Sequence, residues 1–258
     1  MSERILVEKR GRITILTINR PGAMNAFDKA AQFEMADAVE AFAADPEQWV
    51  ATITGAGDRA FCAGNDLKQL LVPGEKFFPD TGFGGVTGRF DLHKPLIAAV
   101  NGLAFGGGFE LALACDLIVA AETASFALPE AKVGLAAMGG GLLRLPYHVG
   151  PKRAMEMILT GERVSAARGL EMGFVNVVTP PGGALDGALG LAEKLLAASP
   201  LSLRASKAVV ERGVYADLRR SMVEHLQYPE IIAMMESEDA LEGPRAFAER
   251  RLPRWAGR

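Results

Sequence analysis

Two glutamates and a run of glycines are the residues in this chain best suited to chemistry. Glu110 follows three consecutive glycines in FGGGFELALACD, residues 105–116, and Glu130 follows a proline in FALPEAKVG, residues 126–134. A third small-residue segment, FCAGNDL at 61–67, carries Asp66. Each reads as a strand running into a loop or helix. Small residues at such a junction let backbone N–H groups point at a bound group with no side chain in the way. Two donors aimed at one oxygen stabilise negative charge developing there. A helix start adds unpaired N–H groups and the positive end of its dipole. The glycines lack the Lys-Ser/Thr end of a P-loop and the spacing of a dinucleotide fingerprint, so an oxyanion site suits them better than a nucleotide loop.

The same residues have plain structural readings. A glycine cluster permits close packing of helix on strand. An acid just inside a helix start caps it or matches its dipole. That reading covers Glu110, Glu130, and Asp66 ahead of a helical LKQLL. His93, His148 and His225 stand apart, without ligand spacing to one another or to cysteine, so no metal is expected. Cys62 and Cys115 read as small buried hydrophobes.

The elements that must position these residues alternate along the chain. ILVEKRGRITILTIN reads as two strands around Arg10-Gly11-Arg12. A helix follows, with its apolar spacing running through Phe33, Ala36, Val39 and Phe42. WVATITG and KPLIAAVNG read as buried strands, with DRAFCAGND as a loop after the first. Residues 72–90, rich in Gly, Pro and Phe, show no period and read as the most mobile stretch. Strands are expected at 117–120 and 125–127, then a helix up to Pro146 and another from Pro151. GFVNVVTP is a last short strand. Helix follows at about 184–198 and continues almost unbroken to about 250. The expected class is α/β, with a core over 1–195 and a helical region over 196–258 that packs on a partner subunit or over a cleft.

The bulk properties narrow the function. The chain has 258 residues, 49% of them hydrophobic, enough for a sizeable core. The net charge of −3 comes with no Lys/Arg block, so no nucleic-acid partner is expected. Two cysteines make no disulfide framework and point to a reducing compartment. The N-terminus has no secretory signal, and the longest apolar runs fall far short of a membrane span. A soluble cytoplasmic protein is the expectation.

Taken together, the segments resemble the enoyl-CoA hydratase/isomerase, or crotonase, family. The matching blocks are NRPGAMNAF at 19–27, AFCAGNDLK at 60–68, the long stretch from KPLIAAVNG to EAKVGL at 94–135, GGGLLRLP onward at 139–178, and the closing PRAFAERR. The resemblance implies a crotonase-like spiral of ββα units with a helical C-terminal part, assembled as trimers or pairs of trimers. It implies reversible addition of water to a trans-2-enoyl-CoA, giving a 3-hydroxyacyl-CoA. No metal or redox cofactor is implied, because coenzyme A arrives as part of the substrate.

The resemblance also implies roles for residues. The thioester carbonyl lies between the N–H groups of Ala63 and Gly107. Glu130 supplies a proton to the α-carbon, and Glu110 orients and activates water. The adenine end of the coenzyme lies near Met24, Ala26, Ala63, Gly64, Asn65, Asp66 and Leu67; Lys68 either meets a phosphate or stands in solvent. Leu70, Phe78, Phe83, Phe90, Phe105, Met138 and Gly139 either line the acyl pocket or pack the core. AMGGG at 137–141 departs from the family's PGxGG and puts the acyl preference in question. Other reactions on this scaffold are double-bond isomerisation and hydration of a specialised acyl-CoA such as a carnitine-linked one. A non-catalytic binder of CoA esters is the reading from another class, and the retention of both glutamates speaks against it.

Overall fold

The computed structural model describes residues 3–66, 76–213, 227–249 and 251–258. Strands β1 (Ile5–Arg10) and β2 (Ile13–Ile18) form an antiparallel hairpin turning at Gly11, whose φ is +57°. From β2 the sheet continues in parallel through β3 (Val50–Gly55), β5 (Leu96–Val100), β7 (Leu117–Ala121) and β10 (Val177–Thr179). β3 and β5 are buried along their whole length, which accounts for their unbroken apolar sequences. A second sheet holds β4 (Ala60–Cys62), β6 (Leu103–Phe105) and β8 (Ser125–Ala127) in parallel, with β9 (Val164–Ser165) antiparallel at its edge. The chain visits the two sheets alternately: β3 then β4, β5 then β6, β7 then β8. This is the spiral of ββα units, and a helical region follows it.

Helix α1 (Lys29–Ala44) starts at Asp28, whose side chain accepts from the Ala31 N–H at 2.8 Å. Its buried stripe is Ala31, Gln32, Met35, Val39 and Phe42, facing β1, β2 and a 3-10 turn at Phe83–Gly85. Phe33 and Ala36 are only half-buried, so the inward face is turned from the expected one. α2 (Gly107–Ala114) follows β6. α3 (Gly141–Val149) runs through Pro146 to Val149, three residues past the expected stop, and is capped at Gly150. An interior proline removes one hydrogen bond but leaves the turns on either side intact here.

α4 (Pro151–Thr160), α5 (Ala166–Met172) and α6 (Ala184–Leu196) complete the core. Ala188 and Ala192 let α6 approach β3, β5 and β7 closely, beside Trp49. The C-terminal region contains α7 (Pro200–Gly213), α8 (Pro229–Met235) and α9 (Glu238–Ala248). Its end docks back on the core. The Trp255 indole donates to the Ala197 carbonyl at 2.9 Å, and Asp239 accepts from the N–H groups of Ala256 and Gly257 at 2.7 and 3.1 Å. Among the described residues no helix is long and apolar enough to cross a membrane.

Candidate active site

β4, β6 and β8 are parallel neighbours, so their chains leave the second sheet along one rim. β4 releases residues 63–66, β6 releases the glycines and Glu110, and β8 releases Glu130. Ligands of α/β sheets gather at such carboxyl ends. Gly106 has φ +54°, which suits glycine and turns the chain from β6 into α2. A Cβ on Gly108 would overlap the Cys62 carbonyl oxygen, so α2 starts hard against β4. The glycines therefore serve both readings: they allow close packing, and they bring a helix start to the rim.

Glu110 lies in the first turn of α2 and is 4% exposed. Its Oε1 accepts from the Gly141 N–H at 2.8 Å, and a Cβ on Gly139 would stand 2.7 Å from its Oε2. Burial raises the carboxyl from an ordinary 4.5 to about 7. The Gly141 and Gly139 N–H groups and the Arg144 guanidinium oppose the rise, and the charge of Glu130 adds to it. Arg144 is held in turn by a 2.8 Å bond to the Thr87 carbonyl.

Glu130 opens a 3-10 turn after β8 (Glu130–Val133). Burial raises its carboxyl as well, with its own N–H opposing. Its Oε2 is buried and has no hydrogen-bond partner among the described residues. Its Oε1 stands 3.0 Å from where a Cβ on Gly106 would be. Most buried polar atoms of a folded chain have a partner, so this oxygen stands out.

The backbone donors differ from expectation in one respect. Gly107, the first residue of α2, has no acceptor for its N–H among the described residues, as its place in the helix dictates. Ala63 does have one: its N–H donates to the Met24 carbonyl at 3.1 Å. Two residues on, Asn65 forms a parallel bridge with Phe27, in which the Phe27 N–H donates to Gly64 and the Asp66 N–H donates to Phe27. Alternation along an extended chain turns the Asn65 N–H to the other side, where it has no acceptor among the described residues. Gly64 brings this segment to α2: a Cβ built on it would lie 3.1 Å from the Gly107 nitrogen. Asn65 and Gly107 thus present N–H groups without an acceptor among the described residues, on neighbouring strand ends.

The other expected residues are scattered in their roles. Met24 and Asn25 both take left-handed conformations, φ 54° and 55°, and the buried Asn25 side chain pins this turn to the Ala56 and Ala60 carbonyls at 3.0 and 2.7 Å. Arg20 bonds the Ala26 carbonyl and lies 3.3 Å from Asp66, fastening the NRPGAMNAF and AGND segments together. Phe83 is buried, and its ring fills the space a Cβ on Gly107 would need, at 2.6 Å. Phe105 is half-buried beneath the Arg163 guanidinium. Phe78, Phe90 and Met138 are exposed in the isolated chain. Leu67, Lys68 and Leu70, with the helix expected at 67–71, lie outside the described residues, as do Met222 and His225 of the tail.

Residues 8–258 match the profile of the enoyl-CoA hydratase/isomerase family. The chain belongs to that family. A hydro-lyase of the family, it carries out hydratase/dehydratase chemistry on an acyl-CoA substrate. It is 48% identical to a carnitinyl-CoA dehydratase of Salmonella paratyphi A, across 100% of both chains. An enoyl-CoA hydratase structure from Mycobacterium tuberculosis H37Rv superimposes with a TM-score of 0.93 at 46% identity, covering 99% of each chain. A carnitinyl-CoA hydratase structure from Mycobacterium avium gives 0.79 at 44%, covering 100% of each.

Proposed function

We propose that this member of the family interconverts a 3-hydroxyacyl-CoA and its 2-enoyl-CoA, and that its acyl group is of the carnitinyl kind rather than a straight chain. The observation that carries the chemistry is the convergence of two carboxyls, both raised by burial, at a rim where the Gly107 and Asn65 N–H groups have no acceptor among the described residues. In dehydration Glu130 takes the α-proton as carboxylate. The thioester oxygen gains charge between the N–H groups of Gly107 and Asn65, and the β-hydroxyl leaves with a proton from Glu110. Hydration is the reverse: Glu110 takes a proton from water as its oxygen joins the β-carbon, and Glu130 returns one to the α-carbon. Ala63 is assigned to fastening its loop to Met24 instead of to the thioester. The protein needs no further cofactor for this chemistry, because the coenzyme is part of the substrate.

The acyl assignment is supported by full-length similarity to proteins named for carnitinyl-CoA, one of them at 48% identity. It replaces the straight-chain enoyl-CoA as the preferred reading. The discriminating measurement is kcat/KM for carnitinyl-CoA against 3-hydroxybutyryl-CoA, read as the conjugated enoyl-thioester absorbance that appears on water loss. A preference of about tenfold or more, the low end of what a pocket discriminates between related substrates, is expected for carnitinyl-CoA. Equal or reversed values would return the assignment to the straight chain. Turnover of only a 3-enoyl-CoA would make the protein an isomerase.

We further propose that the chain works as a homo-oligomer, a trimer or a pair of trimers. Val133, Leu135, Met138, Leu143, Met155 and Leu159 are exposed apolar side chains from one neighbourhood, formed by the turn after β8 and helices α3 and α4. Clusters of this kind mark protein contacts. Light scattering is expected to give three or six times the mass of one chain; a monomer would refute this.

A further inference from the structure

We propose that Gln32 is a positioning residue of the active site, a buried amide that ties the Asn65 end of the thioester clamp to the turn covering Gly107. The inference rests on the reading of Asn65 as one of the two donors. Gln32 sits on α1 with 0% exposure, in a stripe otherwise made of Ala31, Met35, Val39 and Phe42. A polar side chain in such a place costs stability unless its amide is bonded at both ends, and an apolar residue of the same length would fill the space without that requirement. Both ends of Gln32 are bonded, and neither bond serves α1. Its Oε1 accepts from the Gly84 N–H at 2.6 Å, and its Nε2 donates to Asn65 Oδ1 at 3.1 Å.

A fixed backbone donor settles which way both amides face. The Gly84 N–H can only donate, so Gln32 must show it oxygen. The other end of Gln32 is then the NH2 group, and Asn65 must meet it with oxygen. Each partner belongs to the site. Asn65 carries an N–H with no acceptor among the described residues, beside Gly107. Gly84 follows Phe83, whose ring lies over Gly107 and 4.9 Å from the Phe27 ring. Phe27 is itself the bridge partner of Asn65. One side chain thus sets the spacing between the Asn65 donor and the wall that closes the Gly107 donor. Donor placement governs how well charge on a thioester oxygen is held.

The test uses Gln32→Met, which keeps the length and loses both bonds, with Asn65→Ala as a second variant that cuts one bond and leaves the Asn65 N–H in place. Two readouts are needed. The first is kcat and KM for the acyl-CoA that the wild type turns over. The second is the fraction of bound acetoacetyl-CoA present as enolate, seen as its ultraviolet absorbance, because that enolate places charge on the same thioester oxygen.

Gln32→Met is expected to lower kcat about tenfold or more, as for a displaced positioning group, with KM changed far less and the enolate fraction reduced. The double variant is expected to lose little beyond Gln32→Met alone, the signature of residues acting as one unit. If Gln32→Met fails to fold, the same loss of kcat and enolate in Asn65→Ala supports the proposal, and its absence refutes it. A folded Gln32→Met with lower thermal stability but wild-type kcat and enolate fraction would make Gln32 a structural residue only. A wild type that converts no acyl-CoA yet stabilises the enolate would overturn the proposed reaction and leave the role of Gln32 readable.

Discussion

Glu130→Gln is expected to bind acyl-CoA normally and to lose about a thousandfold in kcat, within the range for removal of a general acid–base group. The amide keeps the volume of the carboxyl and cannot exchange the α-proton. The Glu130 Oε2 is buried and unpartnered among the described residues, so the substitution breaks no hydrogen bond at that atom. Thermal stability is therefore expected to hold or rise, which separates a chemical loss from a folding one. Steady-state kinetics, together with titration against a non-reacting acyl-CoA, provides the check. Near wild-type turnover would remove Glu130 from the chemistry.

Glu110→Gln is expected to be as damaging to turnover, and to change the pH dependence of both activity and stability. The Glu110 carboxyl, raised from 4.5 to about 7, is protonated in the folded chain across a window in which the unfolded chain has lost the proton. The folded state then binds more protons than the unfolded one, so stability falls as pH rises from about 4.5 to about 7. The total is on the order of 3 kcal/mol. Glu110→Gln removes that slope, so it is expected to melt higher than wild type at about pH 8 and to gain little at about pH 5. Melting curves at the two pH values decide this; parallel curves would refute it.

Turnover has its own constraint. Water adds or leaves without net release of a proton, so the two directions share one pH profile in kcat/KM. Each direction needs a single proton on the glutamate pair, on Glu110 for dehydration and on Glu130 for hydration. Activity is therefore expected to decline above about pH 7, as the pair loses that proton.

Much of the candidate site is legible in the sequence, because Glu110, Glu130 and Gly107 each sit in a short segment whose residue types are unusual for plain packing, and the structure brings those segments to one rim. The alternating long strands and α2 are legible for the same local reason. β4, β6 and β9 are harder to read. They have two or three residues each and no period of their own, and they become strands only by pairing with segments distant in sequence. The expected donor, Ala63, and the proposed one, Asn65, lie two residues apart because the partner of each amide is set from outside the loop. Met24 takes the Ala63 N–H, and Phe27 turns the Asn65 N–H the other way. Gln32 is invisible for a related reason. A glutamine in an amphipathic helix reads as surface, and the apolar spacing through Phe33 and Ala36 points to a neighbouring face. Only the positions of Gly84 and Asn65 explain why α1 turns this amide inward.

Among the described residues the amides of Asn65 and Gly107 have no acceptor, and the proposed reaction asks them to hold the thioester oxygen. Heat resistance and catalytic power therefore pull in opposite directions at this rim. A variant whose own oxygen satisfied those two groups would tolerate higher temperature and would compete with its substrate for the same seat.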